Sequence, residues 1–282
     1  MTSVDYNSHK YIKVVPIGDF VYNVQLNREK QRNAINLDFW LEFGQVFKKI
    51  DVDPDCRVVV LTANGPTFSA GLDLKSSSLT TKMQDDSLDV ARKGHALRRT
   101  ILKMQESFNR IEECTKPVIA AVHGFCVGAG VDLIAACDVR LASADATFSI
   151  REARIGLAAD MGSLNRLPKM VSNHSWLRDV ALTARDFDAK EALQFGLISG
   201  VFADRNAVRN AAIDMAKTMA KLSPVAVQGT KMVMNHARDH TVRDSLEFVT
   251  TWNMSQLLGD DLATAAVAAF SKDPNPPTFS KL

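Results

Sequence analysis

The sequence predicts an α/β fold: a spiral core of strand and helix units over residues 1–203, then a helical region with an extended tail over residues 204–282. Three observations carry this. Strand-like runs alternate with helical periodicity through the first two thirds, the pattern of right-handed crossovers. Beyond residue 204 the chain turns Ala- and Leu-rich at helical spacing. No linker and no long-period repeat separates the two parts, and 282 residues suffice to bury a sizeable core as one continuous unit.

Residues 11–17 and 20–26 are β-rich runs joined at Gly18-Asp19, an opening hairpin. Asn36 is placed to cap a helix that buries Trp40, Phe43, Phe47 and Ile50. Residues 57–63 (RVVVLTA) form a strand whose exit, residues 64–74, carries Gly65, Pro66 and Gly71, so a shaped loop and ligand contact is expected there. Residues 76–89 are polar and weakly patterned, and a mobile flap is expected before a helix over 94–113. Helical spacing covers 176–195 and 206–270, with one short strand at 197–202 and helix starts at Asp204 and Ser223-Pro224.

The net charge of +2 is spread among acids, which gives no electrostatic footprint for nucleic acid or a membrane surface. No apolar run is long enough to cross a bilayer, and the first residues, MTSVDYNSHK, read as neither a signal nor a transit peptide. Cysteines 56, 114, 126 and 137 lack metal or redox spacing and read as reduced, buried thiols. The six histidines show no ligand spacing, and no GxSxG, HExxH, phosphate-binding or GxGxxG loop occurs, so neither a metal nor a cofactor is expected. The final Ser280-Lys281-Leu282 matches a peroxisomal address read by an import receptor, with Pro274, Pro276 and Pro277 expected to keep it extended and accessible.

The most informative stretch is 117–169. An apolar strand, residues 118–122, runs into a turn of small residues, 124–130, and then into a short helix. Gly128-Ala129-Gly130 can aim a bare amide at a ligand atom. Asp132, Glu152 and Asp160 follow within one span, and amides beside acids suggest carbon-acid chemistry. Each acid also has a plainer reading. Asp132 suits a helix start by charge, Glu152 suits a solvated surface, and Asp160 suits an N-cap ahead of Met161-Gly162-Ser163.

FSAGLDL (68–74) together with HGFCVGAGVDLIAACDVRLAS (123–143) resembles the crotonase, or enoyl-CoA hydratase/isomerase, superfamily. GVDL and REARIGLAADMGSLNRLPK resemble its Δ3,5-Δ2,4-dienoyl-CoA isomerase branch more than its hydratases. The resemblance runs over nearly the whole chain. It implies a crotonase-like spiral of ββα units that binds an acyl-CoA thioester without cofactor, and assembly as a homo-trimer or homo-hexamer through the C-terminal helices. It further implies that the Leu72 and Ala129 amides hold the thioester oxygen, with Ala70, Gly71, Leu72, Asp73, Leu74 and Gly130 around the substrate. Glu152 is expected to work at carbon 2, Asp160 at carbon 6, or the two reversed, and Asp132 to orient or tune them. The implied reaction moves the double bonds of a 3,5-dienoyl-CoA to the 2,4 positions in fatty-acid β-oxidation. A hydratase or Δ3,Δ2-enoyl isomerase on the same scaffold is the alternative. Where hydratases carry a glutamate that handles water, Asp132 is shorter by a methylene, and the aspartate at 160 stands where they place a glycine-containing turn.

Overall fold

The structure, a computed structural model, describes residues 4–75, 87–271 and 277–282. Most of the expected flap therefore lies outside the described residues. Strands β1 (Ile12–Pro16) and β2 (Val21–Leu26) form the opening hairpin, with Gly18, Asp19 and Phe20 all at positive φ in its turn. Strands β3 (Val58–Ala63), β4 (Val118–Val122), β6 (Val139–Ser143) and β9 (Gly200–Phe202) extend this hairpin to a six-stranded sheet of order β1-β2-β3-β4-β6-β9, parallel after the first pair. β2, β3 and β4 are buried along their whole length, because helices cover both faces of the sheet.

On one face, α1 (Leu37–Asp51) is capped by the Asn36 side chain, which accepts from Phe39 N–H, and packs Phe39, Trp40, Phe43 and Phe47 into the core. Phe108 and Ile111 of α2 (Val90–Glu113) join the same cluster. On the other face, α7 (Arg205–Ala220) presents Val208, Ala212, Ala216 and Ala220 at helical spacing to Val21, Val58, Val60 and Ile119. A helix of the C-terminal region is thus a layer of the core, and the boundary at 203/204 divides the sequence but not the packing.

In a second, three-stranded sheet of β5 (Phe125–Val127), β7 (Thr147–Ser149) and β8 (Phe187–Asp188), β5 lies in the expected turn and β8 interrupts the helical stretch expected over 176–195. α3 (Ala129–Ala135) follows it directly, buried throughout. α4 (Ser163–Arg166), α5 (His174–Thr183) and α6 (Ala189–Gln194) lead to β9. After α7 come α8 (Pro224–Asp239), α9 (Val242–Gln256) and α10 (Asp260–Ser271). Asp204 and Ser223 cap their helices as expected. Lys231 anchors α8: its buried ammonium donates to the Ile111 and Lys116 carbonyls at 3.0 Å each and pairs with Asp138 at 2.8 Å.

The four cysteines are buried and unpaired, with burial pushing the Cys114 and Cys137 thiols up to about 12. No helix among the described residues is long and apolar enough to cross a membrane. The tail, expected to stand free, lies against the core. Arg57 donates from Nη1 to Ala220 O at 3.0 Å and from Nη2 to Phe279 O at 2.6 Å and Ser280 O at 3.1 Å, and Lys281 pairs with Asp55, while Ser280, Lys281 and Leu282 remain exposed.

Candidate active site

The loop after β3 is held from within by Asn33, whose Nδ2 donates to the Asn64 and Thr67 carbonyls at 2.8 Å each. Ile35 N–H donates to Gly71 O, and Asp73 N–H to Ile35 O. Asp73 is also tied through its side chain. Its carboxylate takes Nη1 of Arg28 at 2.6 Å, and that same nitrogen reaches Ala34 O, so the pair pins the loop. Ala70 and Leu74 are exposed and Leu72 is half-buried.

This loop meets the β5–α3 turn at its glycines. Gly71 has φ +82°, and a Cβ there would stand 2.8 Å from Val127 O and 3.5 Å from the Ala129 nitrogen. Only glycine gives both the backbone conformation and the approach. Gly128, at φ +54°, donates its N–H to Ser149 O at 2.8 Å and hands the chain to α3. Ala129 is the first residue of that helix, so its N–H has no partner within the helix and lies at the positive end of the dipole. The structure therefore brings Leu72 and Ala129 to one place. Gly130 has another part: a Cβ there would stand 3.0 Å from Ser69 Cβ, so its small size lets α3 pack on the first loop.

The acids approach this turn by different routes and to different depths. Glu152 opens a short 3₁₀ turn (Glu152–Ile155) and is 9% exposed, far from the solvated surface acid that its sequence setting allowed. A Cβ on Gly128 would lie 3.1 Å from its Oε1, and its buried Oε2 has no hydrogen-bond partner among the described residues. Burial first, then the neighbouring charges of Asp132 and Asp160, raise its pKa to about 7. Asp160, half-buried, is also raised by burial, against a lowering bond from its own N–H. Asp132 is 1% exposed, and its Oδ1 accepts the Ser163 N–H at 2.6 Å. Burial raises its pKa to about 6; the bonds from Ser163 oppose this, the Asp160 charge adds to it, and Arg166 lowers it.

That bond corrects the plain reading of Asp160 as an N-cap. Gly162, at φ +125°, occupies the cap position of α4 and offers no side chain, and the orphan N–H of Ser163 is satisfied from Asp132, 31 residues earlier. Asp160 is thereby left without a capping duty.

Glu152 and Asp160 face different spaces. Glu152 lies on an apolar cavity of about 590 Å³ with Ile150, Leu157, Leu164, Leu177 and Leu182. Asp160 lies on a polar cavity of about 310 Å³ with Gln105, Asn109, Glu112, Arg166 and Arg238. Gln105 and Arg166 were not picked out from the sequence. The available signal was the polar row Gln105, Asn109, Glu112, spaced four and three apart beside the buried Met104, Phe108 and Ile111 of an amphipathic helix. Among the described residues no cluster of His, Cys, Asp and Glu could hold a metal ion.

The chain is similar to known proteins along most of its length. The model of the family "Enoyl-CoA hydratase/isomerase" matches residues 17–256. The chain is 46% identical over 279 residues to the mitochondrial Delta(3,5)-Delta(2,4)-dienoyl-CoA isomerase of Mus musculus, covering 98% of this chain and 85% of that one. It is 41% identical over 262 residues to the peroxisomal Delta(3,5)-Delta(2,4)-dienoyl-CoA isomerase of Arabidopsis thaliana, covering 93% of each. A Thermobifida fusca protein solved in complex with acetoacetyl-CoA superposes with a TM-score of 0.75 at 28% identity, covering 88% of this chain and 95% of that one.

Proposed function

We propose, from the premise that this chain belongs to the enoyl-CoA hydratase/isomerase family, that it is a Δ3,5-Δ2,4-dienoyl-CoA isomerase of fatty-acid β-oxidation. One observation carries the division of labour among its residues. Glu152 lies against the glycine that precedes Ala129, whereas Asp160 stands on a separate, polar cavity. Carbon 2 of an acyl thioester is one bond from the carbonyl, so the acid beside the oxyanion-binding amides serves carbon 2. The other acid serves the distal carbon.

The thioester oxygen accepts from the Leu72 and Ala129 N–H groups, with Ala70 and Leu74 at the rim. Preorganised donors of this kind stabilise the charge that appears on oxygen when carbon 2 loses a proton, each by about 3 to 4 kcal/mol. Glu152 removes that proton. With a pKa of about 7 it is a base matched to neutral pH, stronger than an ordinary carboxylate yet still largely ionised at pH 8. Negative charge then spreads along the dienolate. Asp160, entering protonated, delivers a proton at carbon 6, and the bonds settle as the 2,4-diene. Asp132 raises Glu152 by its charge and holds the start of α4 by its bond to Ser163. Because Asp132 is buried and bonded to a backbone N–H, it is poorly disposed to hold a water at carbon 3 beside Glu152, which disfavours the hydratase reading.

Incubation with a 3,5-dienoyl-CoA in buffered heavy water tests this: the absorbance of the extended 2,4-diene thioester should appear, with deuterium exchanged at carbon 2. Hydration of a 2-enoyl-CoA without any diene formation would refute it.

Two further assignments concern assembly and address. Exposed Leu246, Met254, Leu257, Leu258, Val267 and Phe270 on α9, α10 and the turn between them are an apolar surface suited to a homo-trimer or homo-hexamer, and light scattering should return three or six times the chain mass. The peroxisomal Arabidopsis relative and Ser280-Lys281-Leu282 favour a peroxisomal address through an import receptor, although the mouse relative is mitochondrial. A reporter ending in residues 273–282 should enter peroxisomes and stay cytosolic once Leu282 is deleted; equal import of both would refute the address.

A further inference from the structure

We propose that Gln105 is the positioning residue for Asp160: its side-chain amide fixes the peptide that carries the distal acid. The inference rests on the reading of Asp160 as the acid at carbon 6. Residues 157–160 have no regular secondary structure, and the segment is bracketed by two glycines at positive φ, Gly156 at +76° and Gly162 at +125°. Such a stretch does not orient a side chain by itself. Hydrogen bonds tie its backbone and the turn beyond it. Leu157 N–H donates to Glu152 O at 3.1 Å, Ser163 N–H to Asp132 Oδ1 at 2.6 Å, and Asp160 O accepts from Gln105 Nε2 at 2.6 Å. Only the last acts on Asp160 itself.

The carbonyl and the carboxylate of Asp160 share one Cα, so a free peptide at 160 would rotate and carry the carboxyl away from its line to the substrate. Gln105 reaches it across 55 residues from α2, a helix whose far face is bound into the core through Met104, Phe108 and Ile111. The same helix braces the turn beyond. Asn109 and Glu112 hold Arg166 at 2.7 Å each, and a Cβ on Gly162 would fall 1.9 Å from Arg166 Nη1, so the guanidinium covers that glycine. One polar row of α2 thus sets the position of the 160–162 segment, and Gln105 is its contact at the acid.

The test is Gln105→Met, which keeps length and volume and removes the N–H donor. With a 3,5-dienoyl-CoA in heavy water, kcat for diene formation should fall about ten- to a hundredfold, the scale of a displaced catalytic group, with KM within about twofold of wild type. Exchange at carbon 2 should persist, because Glu152 and the amides are untouched. A double-mutant cycle closes the argument: added to Asp160→Asn, Gln105→Met should cost less than about threefold more, since it acts through a carboxyl already gone. Should Gln105→Met fail to fold, Gln105→Leu and Gln105→Ala read the same ratio of exchange to diene formation. A raised KM with unchanged kcat would make Gln105 a substrate contact and overturn the proposal. So would equal loss of exchange and diene formation, wild-type turnover, or full additivity with Asp160→Asn. A wild-type protein that neither exchanges nor isomerises would instead remove the functional reading on which the proposal stands.

Discussion

Replacing Glu152 by glutamine should stabilise the protein at alkaline pH while destroying its base. The carboxyl is 9% exposed, its Oε2 lacks a partner among the described residues, and its pKa is raised from an ordinary 4.5 to about 7. The folded state therefore binds the proton more tightly than the unfolded chain, so wild-type stability falls as pH rises from 4.5 to about 7 and is level beyond. The gap of about two and a half pH units corresponds to about 3 kcal/mol at pH 8 and to about 1 kcal/mol at pH 5, at about 1.4 kcal/mol per unit. Glutamine does not titrate and escapes this penalty. Any fixed cost of its buried amide is the same at both pH values, so the change between them is the clean quantity, about 2 kcal/mol or a melting-temperature difference of about 5 °C for a chain of this size. Thermal scans of wild type and Glu152→Gln at pH 5 and pH 8 measure it. A melting difference between the two proteins that is equal at both pH values would refute the assignment of a strained, destabilising charge to Glu152.

Ala129→Pro removes the proposed oxyanion donor at the first position of a helix, where proline is otherwise well tolerated, and turnover should fall by about a hundredfold or more with the circular dichroism preserved. Asp160→Asn should slow appearance of the 2,4-diene absorbance by about a hundredfold, the scale of one general acid, while exchange at carbon 2 survives; loss of exchange there, with exchange kept in Glu152→Gln, would reverse the two roles. Lys231→Ala leaves Asp138 and two buried carbonyls without their ammonium, and urea titration should report a loss of about 3 kcal/mol.

The order of elements was legible because each carried a local signal: alternation of strand and helix, caps at Asn36, Asp204 and Ser223, and glycines where the backbone needs positive φ. β5 and β8 were not, since strands of three and two residues leave no measurable period and exist only because the sheet partner β7 lies between them. Asp73 sits inside a motif that suggests ligand contact, and nothing local tells that Arg28, 45 residues away, takes its carboxylate. The capping of α4 was illegible for the same reason. A cap is normally sought within a few residues of the helix it serves, and here it comes from Asp132 across 31 residues.

That remote cap bears on why position 132 holds an aspartate. Its carboxylate stands one methylene nearer to α3 than a glutamate's would, and from there it reaches the Ser163 N–H at 2.6 Å. A carboxylate so engaged at 1% exposure is fixed in place and shielded from solvent. Its charge adds to the effect of burial in raising the pKa of Glu152, while its bond secures the turn behind Asp160. On the proposed roles, one buried acid serves both ends of the proton shift without moving a proton itself: it adds to the basicity of the group at carbon 2 and steadies the segment that presents the acid at carbon 6. Three electrostatically coupled carboxylates would repel each other without purpose if all were to titrate in turnover. With Asp132 held by a backbone donor, the repulsion falls on Glu152, where a raised pKa is of use.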